Sequence, residues 1–227
     1  MGKLIAIDGL DASGKETQSL ILKDNLEKMG NKTALLSFPT YDEKMSALVK
    51  MYLSGEFGTS PQDTNAYAAS SFYAVDRYAS YKKDWKTLYE SERIIIANRY
   101  TTANAVHQLS KLPKCEWDNY LDWLWDFEYE KLQIPKPDVI IFLEMLPELS
   151  YRLIESRSVD TGRKKDIHEL DKTFLENSYN AAMYASEKYN WTKIKCYEKT
   201  GSDFRIKTRE EISDEIIDKV KETVLGE

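Results

Sequence analysis

The segment from Lys3 to Thr17 constrains the fold of this chain more strongly than any other. An apolar run at its start breaks into a short loop, and the sequence after the loop continues as a helix. Gly9 and Gly14 bracket four residues and Lys15 follows, which matches the G-x-x-x-x-G-K part of the Walker pattern. In such a loop, small residues let backbone N–H groups surround phosphate oxygens, and the positive end of the helix dipole adds to the attraction. The segment therefore predicts a phosphate-binding loop between a strand and a helix.

The residues of this loop differ in what they offer a nucleotide. Lys15 would reach the outer phosphates as a mobile positive charge. The next position normally carries a hydroxyl that holds the magnesium ion, but Glu16 stands there and the hydroxyl comes one residue later, at Thr17. The predicted site for the ATP phosphates consists of the loop and the first residues of the helix, namely Gly9, Asp11, Ala12, Ser13, Gly14, Lys15, Glu16 and Thr17.

Composition argues against several classes of partner. The 227 residues suffice for one sizeable core, and we expect a single domain over residues 1–227. With a net charge of −6, the chain has no basic field for a nucleic-acid polymer or an anionic membrane. No apolar run approaches the roughly 20 residues that span a bilayer, and Cys115 and Cys196 lack metal-ligand spacing. We therefore expect a reduced, cytoplasmic protein with no nucleic-acid partner and no membrane partner.

Apolar runs alternate with helical patterns along the chain. The predicted strands are the run that starts at residue 3 and the segments 32–38, 92–97, 139–143 and 192–197. The predicted helices are the segments 17–29, 42–54, 61–82, 115–133, 168–189 and 208–225, with another from about residue 147. This alternation predicts an α/β fold with a doubly wound, five-stranded parallel sheet flanked by helices. Ligands of such a sheet bind beyond the carboxyl ends of its strands, where the phosphate loop, Pro39 and Arg99 fall.

Some helical segments carry further signals. The helix at 17–29 has four apolar residues near one stripe, Leu20, Ile21, Leu26 and Met29. In the aromatic helix at 61–82, Tyr73 and Arg77 are i,i+4 neighbours and share a surface. A polar, basic loop over about 157–167 interrupts a helical pattern and predicts a mobile lid.

With these segments placed, the sequence resembles the thymidylate kinase family of P-loop nucleoside monophosphate kinases over nearly its whole length. The resemblance rests on four motifs in the right order: Asp8-Gly-Leu-Asp-Ala-Ser-Gly-Lys15, Phe38-Pro39, Asp76-Arg77, and Asn98-Arg99-Tyr100 followed by Asn104. Four ordered motifs are far more specific than any one of them. The resemblance implies a P-loop kinase fold, with ATP and a pyrimidine deoxynucleoside monophosphate as substrates.

The resemblance also implies an acceptor site. Phe38 would stack on the thymine ring, while Arg77 and Asn104 would contact its edge, which suits a base that needs one stacking face and several hydrogen-bond partners. Arg99 offers a rigid fork for a phosphate, and Asp11 would hold the sugar hydroxyl of the acceptor or waters of the metal. The full predicted acceptor set is Asp11, Phe38, Pro39, Tyr73, Arg77, Arg99, Asn104 and His107.

In the family, a catalytic arginine comes either from the phosphate loop or from the lid. This phosphate loop has none, so the resemblance assigns that role to Arg157 and Arg163 in the lid. The predicted catalytic set is Lys15, Arg99, Arg157 and Arg163. The predicted magnesium ligands are Asp11 and Glu169, of which Glu169 lies just past the lid.

Three positions depart from the family pattern. Thr40 stands where relatives carry an arginine that helps to bind the monophosphate, and His107 stands where some relatives have a tyrosine beneath the sugar. Asn98 replaces an aspartate and removes a carboxylate from the place where the magnesium shell is organised.

The resulting prediction is a magnesium-dependent kinase that transfers the γ-phosphoryl group of ATP to dTMP and forms a homodimer, because related enzymes pair through helices. A deoxynucleoside kinase is a close alternative, although Arg99 and the Phe38-Pro39 element favour a monophosphate acceptor. A regulator that binds nucleotide without turnover is a second alternative, which Asn98 and Glu16 permit. A GTPase switch is disfavoured because the sequence lacks an Asn-Lys-x-Asp guanine motif.

Overall fold

A parallel sheet forms the centre of the structure. The computed structural model describes residues 1–161, 168, 171–201 and 203–226, with the backbone alone for 157–161. Within this part of the chain the sheet strands are β1 (Lys3–Gly9), β2 (Thr33–Ser37), β3 (Ile94–Asn98), β4 (Val139–Glu144) and β5 (Thr192–Lys195). They pair in parallel in the order β2-β3-β1-β4-β5, which confirms the predicted five-stranded, doubly wound sheet.

Helices cover both faces of this sheet. They are α1 (Lys15–Lys28), α2 (Ala47–Leu53), α3 (Ala66–Ser80), α4 (Lys86–Glu90), α5 (Thr102–His107), α6 (Trp117–Trp125), α7 (Pro147–Thr161), α8 (Lys172–Lys188) and α9 (Arg209–Val220). π-helical turns continue α3, α6 and α9 at Tyr81–Trp85, Asp126–Lys131 and Lys221–Leu225. Short α5, directly after β3, was not anticipated from the sequence. None of the described helices is long and apolar enough to cross a membrane.

The central strand β1 shows why the sheet is buried on both faces. Ile5 and Ile7 pack into the core under α1 and α9, whereas Leu4 and Ala6 pack into the core on the opposite face. All four side chains are fully buried. Because successive side chains of a strand point to opposite faces, a continuous apolar run suits a strand with helices on both sides. The loop that follows β1 therefore begins at the edge of the sheet, between the two layers of helices.

The predicted apolar stripe of α1 is wrong in detail. Leu26 is fully buried, but Leu20 and Met29 are 47% and 39% exposed. The buried face instead includes Gln18, whose side chain donates to the backbone oxygen of Arg209 at the start of α9. α9 thus supplies a hydrogen-bond partner for the amide NH₂ of this buried polar side chain, whereas its Oε1 has none among the described residues.

Two other segments differ from the sequence prediction. α7 continues to Thr161, so residues 157–161 are helical rather than part of a loop, and the lid segment 162–167 lies outside the described residues. The strand predicted at 192–197 ends at Lys195, and a hairpin follows from β6 (Tyr197–Thr200) and β7 (Asp203–Ile206). Alternating charged and apolar residues around Gly201 are the signal that could have revealed this hairpin.

The contrast between Leu26 and Leu20 gives a test of the packing. Leu26→Ala should lower the free energy of unfolding by about 3 kcal/mol, because it removes buried contacts and leaves a cavity. The control Leu20→Ala lies on the same helix but is exposed, and it should change stability by less than about 0.5 kcal/mol. Urea unfolding followed by circular dichroism measures both, and equal losses would contradict the packing described here.

Candidate active site

The loop between β1 and α1 has the geometry of a phosphate cradle. A Cβ built on Gly9 would lie 2.7 Å from both the Leu143 carbonyl oxygen and the Ser13 hydroxyl, so only glycine fits. Gly14 has a φ of 88°, a left-handed conformation that glycine adopts without strain. No side chain caps the helix that starts at Lys15, so its first backbone N–H groups remain for an anion.

Lys15 lies across this loop. Its ammonium donates to the backbone oxygens of Gly9 and Leu10 at 3.0 and 2.6 Å. Only 7% of the residue is exposed, although it lines the large cavity described next. A buried ammonium beside a helix N-terminus is suited to contact phosphate oxygens.

A cavity of about 790 Å³ lies beyond the carboxyl ends of β1, β2 and β3. The predicted site residues that line it are Asp11, Ala12, Gly14, Lys15, Glu16, Thr17, Phe38, Pro39, Tyr73, Arg77, Arg99, Asn104 and His107. Gly9 and Ser13 of the same loop do not line the cavity. Arg163, Glu169 and the side chain of Arg157 lie outside the described residues. The strand ends therefore bring the two predicted substrate sites into one cavity.

Arg99 connects the two parts of this cavity. Its φ is 63°, unusual for a residue other than glycine, and its backbone N–H bonds to the oxygen of Ile7 in β1 at 2.9 Å. The guanidinium pairs with the carboxylate of Asp11 in the phosphate loop. Its other terminal nitrogen lies 2.9 Å from Nε2 of His107 in α5. Arg99 thus contacts both the phosphate loop and the opposite wall.

The pairing with Arg99 changes how Asp11 titrates. Burial alone would raise the pKa of Asp11, but the positive charges of Arg99 and Lys15 outweigh it and hold that pKa well below its usual range. Asp11 is therefore ionised throughout the physiological pH range. Burial lowers the pKa of His107 well below its usual value, so the ring is neutral and accepts a hydrogen bond from the Arg99 guanidinium.

The side-chain oxygens of Asp8 and Asn98 lie near the carboxyl ends of β1 and β3. The carboxylate of Asp8 is fully buried and accepts hydrogen bonds from the Gly9 N–H and the Thr102 hydroxyl, at 2.9 and 2.8 Å. Asn98 donates to the Ser37 hydroxyl at 3.0 Å, whereas its buried Oδ1 has no hydrogen-bond partner within the described part of the chain. Carboxylate and amide oxygens are ligands that Mg²⁺ prefers. The donor set fits magnesium, although no described group of three or more His, Cys, Asp or Glu forms a ready metal cluster.

The far end of the cavity holds the residues predicted to read a base. Phe38 is buried against Tyr100, with ring centroids 5.9 Å apart. Arg77 forms a fully buried ion pair with Glu128, and Asn104 donates to the same carboxylate. The sequence analysis missed Glu128, which lies 51 residues beyond Arg77 on the π-helical turn after α6. In the sequence Glu128 is one acidic residue of a Trp-rich amphipathic helix, a pattern that does not distinguish it from a surface acid.

A second missed group adjoins the cavity. The Lys111 ammonium donates to the Tyr52 hydroxyl at 2.7 Å, and that hydroxyl lies 2.7 Å from Nε2 of His168. His168 lines the cavity and packs on Phe174 with ring centroids 4.5 Å apart. Burial lowers the pKa of Lys111 to about 7 and that of His168 to about 3. These contacts hold a neutral imidazole in the cavity wall.

Thr40, which departs from the family pattern, has a structural role. Its hydroxyl and backbone N–H both donate to the carboxylate of Asp76 in α3, the latter at 3.0 Å. Asp76 is fully buried, so these two bonds satisfy a carboxylate that would otherwise be costly to bury. Thr40 therefore ties the segment after β2 to the helix that carries Arg77.

Comparison with known proteins agrees with this geometry. A family model described as Thymidylate kinase matches residues 7–201, which is most of the chain. A thymidylate kinase of Mycobacterium tuberculosis is 29% identical over 184 residues, which cover 80% of this chain and 84% of the relative. A probable thymidylate kinase of Thermococcus gammatolerans is 29% identical over 179 residues, which cover 78% of this chain and 81% of the relative.

The fold matches that of a solved structure. The structure of a thymidylate kinase from Candida albicans superposes with a TM-score of 0.70 and covers 97% of this chain and 92% of that chain. Its sequence is 22% identical, so this match supports the fold rather than the function. The parallel sheet with its phosphate loop is therefore a P-loop kinase fold.

The neutral state of His168 predicts how stability depends on pH. An unfolded histidine titrates near pH 6.5, so between about pH 6.5 and 3 the unfolded chain binds a proton that the folded His168 does not. Folding stability is therefore lost as the pH falls through this window. His168→Gln should reduce the stability lost between pH 7.5 and 5 by about 2 kcal/mol.

Urea unfolding at the two pH values measures this effect. The control Tyr52→Phe removes the same hydrogen bond but keeps the titrating ring, so it should retain the pH dependence of the unaltered chain. An unchanged pH dependence in His168→Gln would contradict a buried, neutral imidazole.

Proposed function

The chain belongs to the thymidylate kinase family, and from this membership and the geometry of its site we propose that it transfers the γ-phosphoryl group of ATP to dTMP, giving ADP and dTDP. It is an ATP-dependent phosphotransferase. The observation that carries the assignment is a single cavity of about 790 Å³ with a phosphate loop at one end and Phe38, Arg77 and Asn104 at the other. Arg99 stands between these ends, where two phosphate groups would meet.

Each end of the cavity has its own role in the proposed reaction. The backbone N–H groups of the loop and Lys15 bind the phosphates of ATP, while Phe38 stacks on the thymine ring. Arg99 binds the monophosphate and directs it towards the γ-phosphate. Phosphoryl transfer depends on positioning and charge stabilisation more than on covalent chemistry, so a fixed cation between donor and acceptor supplies what the reaction needs.

Asp11 has a supporting role. Its ion pair with Arg99 holds the guanidinium beside the phosphate loop. The carboxylate remains ionised and half-buried, so it is able to accept a hydrogen bond from a sugar hydroxyl of the acceptor. Tyr73, Pro39 and His107 complete the wall around that sugar and base.

Magnesium fits the proposed reaction. When bound with ATP it would neutralise charge on the β- and γ-phosphate oxygens. Asp8, Asp11 and the Oδ1 of Asn98 are the described oxygens that would hold it or its waters, with Glu169 as a further candidate. Magnesium retains several waters in such sites and needs only one or two carboxylates in addition to substrate phosphates.

Several further expectations belong to this proposal. Arg157, on α7, and Arg163, in the lid segment, would contact the transferred phosphoryl group. A homodimer is expected because related enzymes pair through helices. A single domain over the whole chain and a cytoplasmic location are also expected, in agreement with the length and composition of the sequence.

Turnover of dTMP tests the proposed function. Purified protein with ATP and Mg²⁺ should convert dTMP to dTDP, separated by anion exchange, and should leave thymidine unchanged. Lys15→Ala should lower kcat by roughly 10²–10³ because it removes a positive charge from the phosphates. The control Lys23→Ala lies on the same helix, where the partly exposed Lys23 pairs with Glu27 instead of lining the cavity, and it should retain full activity. Faster turnover of thymidine than of dTMP would indicate a nucleoside kinase, and formation of no product from either would indicate a regulator.

Asn98 gives a test of the metal site. Asn98→Asp adds a negative charge at a buried oxygen that has no hydrogen-bond partner among the described residues, so the free Mg²⁺ needed for half-maximal rate should fall by up to about tenfold, equivalent to about 1.4 kcal/mol. Asn98→Ala removes the oxygen and should raise that requirement. Titration of the rate with Mg²⁺ at saturating substrates measures both, and an unchanged requirement in both variants would place the metal elsewhere.

A further inference from the structure

Glu128 contacts both side chains at the base end of the cavity. Its carboxylate is fully buried and accepts from Nε and Nη2 of Arg77 at 2.7 and 2.5 Å. The same carboxylate accepts from Nδ2 of Asn104 at 3.2 Å. Glu128 does not line the cavity itself. Any effect on a bound base would therefore be exerted through Arg77 and Asn104.

With these contacts made, Arg77 presents only N–H donors to the cavity. Its third hydrogen-bonded nitrogen, Nη1, donates to the backbone oxygen of Tyr100 at 3.2 Å. A guanidinium has five N–H groups and no acceptor. Glu128 and Tyr100 fix the plane of this guanidinium, and whatever it presents to the cavity is an N–H. Arg77 can thus bind only an acceptor atom on a ligand.

The contacts of Asn104 fix the orientation of its amide. Nδ2 donates to Glu128 and to the backbone oxygen of Ser70, at 3.2 and 3.3 Å. If the amide turned round, Oδ1 would face two acceptor oxygens, one of them charged, which is strongly unfavourable. The amide therefore keeps its nitrogen towards Glu128 and presents its oxygen to the cavity. Asn104 can accept a hydrogen bond from a ligand but does not donate one there.

These two side chains form a fixed pattern of one donor and one acceptor. Thymine and uracil carry a carbonyl oxygen at position 4 and an N–H at position 3, which complement an N–H of Arg77 and the oxygen of Asn104. Cytosine carries an amino group at position 4 and an unprotonated nitrogen at position 3. Its amino donor would therefore face the N–H donor of Arg77, and its N3 acceptor would face the oxygen of Asn104. We propose that Glu128 is a positioning residue that sets this pattern and thereby selects 4-oxo over 4-amino pyrimidine monophosphates.

The inference rests on the proposed function, since it concerns the base of the same acceptor. It adds that base selection depends on a carboxylate that never touches the base. A site that is built to hydrogen-bond one base edge rejects the other edge because buried polar groups would be left unpaired. Loss of the Glu128 charge should therefore reduce discrimination between bases more than it changes the KM for ATP.

Glu128→Gln tests the inference directly. Glutamine keeps the size of glutamate but replaces one acceptor oxygen with an NH₂ donor. Because Nε and Nη2 of Arg77 contact different oxygens, this donor faces Arg77 in either orientation, and at the position of Oε1 it also faces Asn104. At the position of Oε2 it therefore disturbs the fixed plane of Arg77, and at that of Oε1 it also lets Asn104 turn its amide and present N–H to the base. The ratio of kcat/KM for dTMP to that for dCMP should fall at least tenfold, while the KM for ATP changes by less than threefold.

Tyr129→Phe is the matched control. Tyr129 lies beside Glu128 on the same π-helical turn, and its hydroxyl bonds to Thr101 rather than to either base-reading side chain. This variant loses a buried hydrogen bond of the turn but should keep the ratio of dTMP to dCMP within twofold of the unaltered chain. A ratio within threefold of the unaltered value in folded Glu128→Gln would overturn the inference.

A second variant keeps the test decisive if Glu128→Gln fails to fold. The double variant Arg77→Met with Glu128→Met replaces the buried ion pair with apolar side chains of similar volume, which proteins commonly tolerate. Without Glu128 the Asn104 amide nitrogen keeps only the Ser70 oxygen as a partner and its orientation is less fixed, so N3-methyl-dTMP should lose less activity relative to dTMP than it does in the unaltered chain. A penalty for N3 methylation within threefold of the unaltered value would overturn the inference.

The outcome also separates this inference from the proposed function. If the unaltered chain forms no dTDP from dTMP and ATP, the proposed function fails. If it forms dTDP and the variants keep their base preference, only the role of Glu128 fails.

Discussion

The ion pair between Arg99 and Asp11 is the interaction on which the site depends. Arg99 is held in a left-handed backbone conformation that costs a residue other than glycine roughly 1–3 kcal/mol, and its N–H bond to Ile7 anchors it to the central strand. From this position the guanidinium contacts the phosphate loop through Asp11 and the acceptor wall through His107. This position fixes a cation between the phosphate loop and the far wall of the cavity, where in the proposed reaction it would stabilise charge with little rearrangement.

A second buried pair joins Arg77 to Glu128, and the role that we propose for it is recognition of the base rather than stability. Burying two charges is costly, and an apolar pair of similar volume is often as stable, so the pair itself is weak evidence for a stabilising role. Breaking it by removing one partner would cost about 3–5 kcal/mol because the other charge would remain buried. Its value lies in geometry, since a carboxylate that binds both Arg77 and Asn104 leaves one donor and one acceptor facing the cavity.

The sequence predicted the sheet and much of the cavity because their signals are local. Gly9, Gly14 and Lys15 lie within seven residues of each other, and parallel strands bring their carboxyl ends to one edge whatever their order. Glu128 could not be predicted, because its partners come from two other helices and its pattern is that of a surface acid. The prediction of the apolar stripe of α1 was wrong for a similar reason, since Gln18 is buried only because α9 packs there. Contacts between distant segments decide which polar residues are buried, and periodicity does not report them.

The most direct test of this account is a crystal structure of the chain with dTMP and a non-hydrolysable ATP analogue. The decisive measurement is the distance from the Arg99 guanidinium to the 5′-phosphate oxygens of dTMP. The account predicts a hydrogen bond of about 2.7–3.2 Å, with the thymine ring against Phe38 and the phosphates of the ATP analogue in the loop before α1. A 5′-phosphate more than about 6 Å from the guanidinium, or a thymine ring seated against the phosphate loop, would contradict it.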